Sequence, residues 1–575
     1  MFAALLACLL PAGIMVLLIS RYGVNVPFWD EWNLVDLFEK AHAHRLSFAD
    51  FFAQNNEHRV VFPKIIFLLL EHFTHWNTRA EMFFSVFLCA LTALCLQWVL
   101  WRTLRLPSPR LLMLMVIINV LLFSPCQYEN WLWGYQLACF LLASCLLAGV
   151  AVLCSELPQL VKFLFAGGCA MVATFSGGNG MLLWPLLLLT FLLRTDRSNR
   201  KAAIRWSSGW ILIATCAAGL YFFHYQKPPW HPPLASSRNL LDYYCYISAF
   251  LGSPLGRHEE GASLIWPVSV GSVALALCIL IAGTITWRRR DTALLRNAAP
   301  WISIGGFALL SSIMACITRI GFGRTQALES RYTTFSLLLI LSLIPLGILV
   351  EGNLRKERKA LSMRGFNLVL VIGVIALFTI TLPFSLRMMR RSGAARARGH
   401  VGLTFLECFP EKTLLQTTVH PSLEQLTSFA RRANSLHLLH PPLLDPAALH
   451  RLMMKTKGHM VGACGEFEAV RASGENSYVA AGWALLPYSR RPVDGVVLAY
   501  ETADGPFAFA LGLDRSPRTE VARFYRDEAA LPSGWKATFR DQDLVSRTAP
   551  LKIEAWAFDI DRLKLCKLSG ARWLD

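Results

Sequence analysis

The chain has 575 residues, 54% of them hydrophobic, and a mean hydropathy of +0.43. That excludes a soluble domain of this size, because the apolar residues fall in runs of roughly 20, the length a helix needs to cross about 30 Å of hydrocarbon. The formal charge of +18 does not signal nucleic acid, since the Lys and Arg residues cluster in short loops between apolar runs and no nucleic-acid motif accompanies them.

Taken in order, the runs predict a mainly α protein, a polytopic transmembrane helical bundle of about eleven spans over residues 1–386. The spans lie at about 2–20, 80–101, 111–125, 134–154, 162–176, 181–194, 207–225, 264–286, 299–318, 333–351 and 365–385. The first has no charged leader and carries Pro11, which fits a retained anchor better than a cleaved signal. A long loop, 21–79, follows it, and within that loop Ile65 to Leu70 is too short to span and reads as an interfacial helix. Spans five and six are short and flank Ser176-Gly177-Gly178-Asn179-Gly180, as a tight hairpin or a re-entrant pair would.

Charge sets the expected orientation. Loops holding Arg102, Arg105 and Arg110, Lys162, the Arg194–Arg205 group, the Arg288–Arg296 group and the Arg355–Arg364 group carry about 18 positive charges in roughly 50 residues; the other set carries about 12 in roughly 120. The first set is therefore expected in the cytoplasm, with the amino terminus inside and the tail outside. Five outer loops follow: 21–79, 126–133, 176–180, 226–263 and 319–332. Every chemically unusual polar cluster falls in them, whereas the basic loops are short and featureless. Five arginines between Arg387 and Arg398 strain the rule, and are read as headgroup contacts or a miscounted span.

Past 386 the chain turns polar. Residues 387–460 read as a helical linker and 461–575 as a small antiparallel β-sandwich outside the membrane. Its strand-like runs begin at Ser477, Gly495 and Leu551, with turns at Asp504-Gly505 and Ser533-Gly534. Trp483, Trp535 and Trp556 read as its core. Most of the 15 cysteines sit in apolar runs, and the three in the tail, Cys408, Cys464 and Cys566, leave any pairing open.

Four outer clusters could carry chemistry. The first loop holds Asp30 and Glu31 between Trp29 and Trp32, then Glu57-His58-Arg59 and Lys64. A carboxylate at a membrane boundary can act as general base on a hydroxyl, and a nearby Arg or Lys can hold a phosphate; alternatively these are solvated loop residues between interfacial tryptophans. The second cluster runs from Gln127 to Gln136. Glu129, Asn130 and Gln136 can pair with sugar hydroxyls while Trp133 stacks on the sugar's apolar face, or Asn130 simply caps a helix. The third is the glycine turn around Asn179, which lacks the Lys of a P-loop. The fourth holds Arg319, Arg324 and Arg331 with one acid, Glu329, and offers forked donors to phosphate oxygens. The loop with Lys227 to Pro233 reads as a rigid cover.

A first span, an acidic motif opening a long outer loop, many spans and an outer soluble domain together resemble the type C glycosyltransferase (GT-C) superfamily. Pro27-Phe28-Trp29-Asp30-Glu31-Trp32 is similar to the early Asp motif of those enzymes. The 127–136 stretch and Ser330-Arg331-Tyr332 look like motifs of bacterial members. The resemblance covers about residues 1–385 and leaves the tail out. It implies an integral enzyme of the bacterial inner membrane that transfers a sugar from a polyprenyl-phosphate carrier to a cell-envelope glycan or lipid acceptor on the periplasmic face. The transfer would be an inverting single displacement.

By that resemblance Asp30 is the base, with Glu31 supporting it or binding a cation. Arg59, Lys64, Arg324 and Arg331 neutralise the lipid phosphate, and Glu57, His58, Glu129, Asn130, Trp133, Gln136 and Asn179 bind sugar or acceptor. Relatives differ in using a divalent cation (Mg or Mn), and Asp30-Glu31 lacks the spaced Asp-x-Asp pattern, so no metal ligand is assigned. The competing readings are an outer-face glycan polymerase or ligase and a non-enzymatic exporter or flippase of a lipid-linked substrate. Neither the sugar nor the acceptor is legible.

Overall fold

The structure, a computed structural model, describes residues 2–195, 200–261, 263–356, 365–456, 464–544 and 550–574. Arg197, Arg358, Lys359 and Arg364, used above for orientation, lie outside the described residues, as does the expected boundary at 460/461. The chain forms two compact units: residues 1–23 with 44–393, and residues 24–43 with 394–575. The cut in the tail falls at 393/394, inside the continuous helix Phe366–Thr404, and not at 386.

Seven helices among the described residues are long and apolar enough to cross a membrane: Thr78–Thr103, Ser108–Leu132, Gly134–Cys154, Ile265–Trp287, Thr292–Phe322, Ser330–Leu354 and Phe366–Thr404. Shorter apolar stretches, Cys8–Tyr22, Gln159–Thr174 and Gly178–Arg194, cover three more of the expected spans. Ser330–Leu354 is the most enclosed, with 89% of its apolar window buried; Ile265–Trp287 and Phe366–Thr404 bury 22% of theirs. Apolar helices that keep their side chains outward suit a hydrocarbon surround, where backbone polar groups must pair within the helix.

Between these helices the adhesive groups are small residues and hydroxyls. A Cβ on Gly271 would stand 1.8 Å from the Ser248 carbonyl oxygen, and one on Gly252 would stand 2.0 Å from that of Pro267. The helices Leu240–Gly256 and Ile265–Trp287 therefore meet backbone to backbone, as small-residue seams allow. Thr92 and Ser144 pair at 3.0 Å, Thr190 and Ser303 at 2.7 Å, and the Trp301 indole donates to Thr103 at 3.0 Å. The Val61–Thr74 helix is amphipathic: Ile65, Leu69 and Phe73 are exposed on one stripe, and Val61, Lys64, Phe67 and Glu71 are buried.

The second unit joins the segment 24–43 to the tail. Its first piece is a 3-10 turn, Trp29–Asn33, followed by the helix Leu34–His42, which buries Leu34, Val35, Leu37 and Phe38. The helices Lys412–Thr418, Leu423–Ser435 and Pro446–Thr456 lie within the stretch read as a linker.

Nine strands follow among the described residues: β1 (Gly465–Gly474), β2 (Ser477–Ala484), β3 (Gly495–Thr502), β4 (Gly505–Gly512), β5 (Asp514–Ser516), β6 (Gly534–Arg540), β7 (Leu551–Asp559), β8 (Lys564–Lys567) and β9 (Arg572–Leu574). They form two antiparallel sheets, β1-β2-β6-β5 and β4-β3-β7-β8, with β9 added beside β7. Phe467, Ala480, Trp535 and Phe539 of the first sheet share one core with Val496, Tyr500, Ile553 and Ala555 of the second. Trp535 and Trp556 are fully buried, as expected, while Trp483 packs in a smaller cluster with Tyr525. Cys464 and Cys566 form a disulfide, and the Cys408 thiol donates to the Leu444 carbonyl.

Candidate functional site

In the first unit, three of the five loops expected on one face bring side chains to a single carboxylate, Glu57, and a fourth supplies a backbone N–H to His58 beside it. Asn55 and His58 bridge as a short antiparallel pair, which turns the backbone and presents Glu57 from a tight loop. Arg319, at the end of the helix Thr292–Arg319, forms an ion pair with Glu57 Oε1. His231 Nε2, from the proline-rich loop, stands 3.4 Å from Glu57 Oε2, and His58 Nε2 stands 3.5 Å from Oε1. The Gly178 N–H donates to His58 Nδ1 at 3.3 Å, which leaves the ring proton on Nε2, facing Glu57. A Cβ on Gly178 would already stand 3.4 Å from Nδ1, so the glycine leaves room for the ring.

Glu57 keeps 14% of its side chain exposed and His58 40%, so the cluster is compensated and yet reachable. A carboxylate held this way can orient an incoming hydroxyl or pass a proton through the imidazole. Further ties hold the loops together. Gln54 Nε2 donates to the Gln226 carbonyl at 2.5 Å, and the Gln226 N–H returns to Gln54 Oε1 at 3.1 Å. Asn55 Nδ2 donates to the Tyr135 hydroxyl at 2.5 Å.

The remaining loop, 126–133, is locked to the loop 319–332. The Arg331 N–H donates to Glu129 Oε2 at 3.0 Å, and the Glu129 N–H donates to Ser330 Oγ at 3.3 Å. Asn130 is fully buried and gives its amide to the Arg331 carbonyl (3.0 Å) and to Thr334 Oγ1 (2.7 Å). Thr334 donates in turn to Gln127 Oε1 at 2.6 Å. Asn130 is thus a cross-brace between loops, and it does not cap its own helix. Glu329 is held protonated to higher pH than an ordinary carboxyl, first by burial and then by the charge of Glu129. Arg257 donates to the Leu328 carbonyl at 2.7 Å, lies over the Phe384 ring, and buries its Nε without a hydrogen-bond partner among the described residues. Arg257 and Glu329 were not among the expected site residues, because an isolated Arg and the lone acid of a basic loop carry no motif.

The remaining expected residues divide by environment. Arg59 is buried, with Nε on the Tyr221 carbonyl at 2.6 Å, Nη1 on Phe52 O at 2.5 Å and Nη2 on Phe223 O. Lys64 gives its ammonium to the carbonyls of Asp50, Phe51 and Ala53. Both cations are thus engaged by backbone oxygens. Arg324 is half exposed, with Nη1 3.6 Å from Asp242. Trp133 is buried against Tyr135, and Gln136 Oε1 accepts from the Cys139 thiol. Asn179 is half-buried in the 3-10 turn Gly178–Leu182.

Asp30 and Glu31 belong to the second unit. Glu31 is fully buried, and its Oε2 accepts the Phe28 N–H at 3.0 Å, so it closes the turn on which it sits. Asp30 is half-buried at the start of that turn. Trp29 beside it has φ of 50°, a left-handed value that costs a bulky side chain energy. The Trp29 N–H donates to the Val419 carbonyl at 2.8 Å, and the Arg396 guanidinium lies 3.7 Å over the Phe28 ring. The turn that carries Asp30 is therefore pinned from both sides.

No group of three or more His, Cys, Asp or Glu side chains among the described residues is arranged to hold a metal ion. Compared with family models, with curated proteins and with solved structures, the chain has no match.

Proposed function

We propose that the protein is an integral-membrane glycosyltransferase that moves a sugar from a polyprenyl-phosphate carrier to a cell-envelope acceptor. In this reading it crosses the bacterial inner membrane about eleven times and keeps its amino terminus in the cytoplasm. The tail, with its two sheets packed as a sandwich, stands in the periplasm. The observation that carries the reading is the convergence on Glu57. Polar stretches spread over most of the membrane unit, and assigned to one face by loop charge alone, meet at one compensated, reachable carboxylate. The Cys464–Cys566 disulfide supports the periplasmic tail, because disulfides persist in oxidising compartments.

Nucleotide sugars are cytoplasmic, so a transferase working on the outer face needs a lipid-carried donor. A carboxylate takes the proton of the acceptor hydroxyl, the role that the GT-C resemblance gives to Asp30; the oxygen attacks the anomeric carbon, and the lipid phosphate departs with the bond electrons. Arg324 and Arg331 stabilise the charge on that phosphate. Arg59 and Lys64 are given a structural role, since backbone carbonyls already engage them. Glu57 and His58 orient sugar or acceptor hydroxyls, with Asn179 on the same turn as Gly178.

The test is mass spectrometry of envelope glycolipids from cells with the parent chain, with Asp30→Asn, and without the protein. Loss of one glycolipid species both without the protein and with Asp30→Asn, at normal membrane levels of the variant, is the expected result. An unchanged glycolipid profile in cells lacking the protein would remove the reading altogether.

A further inference from the structure

The end of the first unit away from any proposed chemistry is not featureless. The helix Leu137–Cys154 finishes there, and its last carbonyls are capped by two guanidinium groups from other helices. Arg102 Nε donates to Cys154 O at 3.4 Å, and Arg194 donates to Leu153 O at 3.2 Å and to Cys154 O at 3.4 Å. Arg194 Nη1 also holds the Arg296 carbonyl at 2.8 Å, which ties in the helix Thr292–Arg319. Lys162 and Arg296 are within electrostatic reach of the same helix end. Neither of their side chains has a hydrogen-bond or ion-pair partner among the described residues.

The acid paired within this group is Glu156, on Arg102 at 2.6 Å and 84% exposed. Among the described residues, four cations therefore face one screened carboxylate. Two of the cations are fixed by backbone carbonyls, and two have donors to spare. Beside them Trp98 and Trp101 are exposed, with the Arg102 guanidinium 5.7 and 5.8 Å from their ring centroids. Exposed tryptophans at the end of an apolar helix are where a bilayer's headgroup layer begins.

We propose that this cluster binds the phosphate of an anionic phospholipid, with Lys162 and Arg296 as the direct contacts. Arg102 and Arg194 supply the field, and Trp98 and Trp101 set the depth. A negative helix end cannot by itself attract an anion, so the surplus of cations gathered there exceeds what capping the carbonyls requires. The occupant is a lipid and not a free anion, because the tryptophans place the donors at headgroup level. The inference does not depend on the proposed transferase activity.

The experiment uses the purified full chain in nanodiscs of phosphatidylcholine with increasing phosphatidylglycerol, and native mass spectrometry to count retained lipid. The parent chain is expected to retain phosphatidylglycerol over phosphatidylcholine. Each removed charge should lower that preference about fivefold, so Lys162→Gln with Arg296→Gln lowers it roughly 25-fold, while Lys162→Arg keeps it. Arg296→Gln alone, at an exposed position, provides the same readout should the double variant fold poorly. Arg471→Gln with Arg523→Gln removes equal charge at exposed positions of the tail. Retention unchanged in the Lys162/Arg296 variants, an equal loss in the Arg471/Arg523 pair, or full displacement by inorganic phosphate would each overturn the proposal.

Discussion

Replacing Arg59 separates two accounts of a buried cation. Its three donor nitrogens reach three backbone carbonyls. Two of these, on Tyr221 and Phe223, stand at the end of the helix Arg200–Phe222, and the third, on Phe52, ends the helix Phe48–Phe52. The guanidinium thus closes two helix ends and also complements the negative pole of the longer one. A hydrogen bond from a charged donor contributes about 1.5–3 kcal/mol net, and three that share one side chain are not additive, so Arg59→Ala should cost on the order of 3–5 kcal/mol. Arg59→Lys keeps the charge but not the fork, and should lose about half as much. Thermal unfolding of the purified chain, followed by tryptophan fluorescence, should show a fall on the order of 5–10 °C for Arg59→Ala. A melting temperature within error of the parent, together with a raised KM for a lipid-linked donor, would refute the structural role and return Arg59 to the phosphate.

Three other outcomes follow from the packing and the charges. Gly271→Val places a side chain where a Cβ alone would be 1.8 Å from the Ser248 carbonyl, so the seam between Leu240–Gly256 and Ile265–Trp287 must open; the yield of monodisperse protein in detergent should collapse. Cys566→Ser removes a link between residues separated by 102 positions and should cost the second unit about 2–4 kcal/mol, with parent and variant melting together once reductant is added. Glu329 resists ionisation when folded, so the stability it contributes is full below the ordinary carboxyl range and is lost as pH rises through its raised value. Glu329→Gln should therefore raise the melting temperature at neutral pH, and the two curves should converge below about pH 4.

The helical character of the membrane unit was legible because hydrophobic run length is a property of the local sequence. Thr78–Thr103 and Ile265–Trp287 announce themselves whatever they pack against. The glycine hairpin was legible for a similar reason. A Cβ on Gly180 would stand 1.9 Å from the Ala173 carbonyl, so only glycine allows that return of the chain. What periodicity does not contain is which segment a loop joins. The stretch read as one outer loop, 21–79, divides: residues 24–43 group with the tail and 44–79 with the membrane helices. That choice is made by Leu34, Val35, Leu37 and Phe38, an apolar face on a nine-residue helix whose partner lies hundreds of residues away in sequence.

The same limit governs the site. Residue types flagged Glu57, His58, Arg319 and Arg331, but type does not say whether a charge is already engaged. Arg59 and Lys64 read as phosphate ligands until their carbonyl partners are seen, and those partners leave no mark in a sequence. Glu31 and Asp30, adjacent and chemically alike, part company for a structural reason. Glu31 turns inward, fully buried, to hold the Phe28 N–H, whereas Asp30 stays half-buried beside a tryptophan in a left-handed conformation. Strain of that kind is kept where surrounding contacts over-determine it, here the Val419 carbonyl and the Arg396–Phe28 stack. If the strain serves only the turn, Trp29→Gly relieves it, raises the stability of the second unit and leaves glycolipid output untouched. If the turn exists to aim Asp30, the same substitution stabilises the unit and lowers output, because the aim is lost with the strain. Measuring the melting temperature and the glycolipid profile on that one variant distinguishes the two.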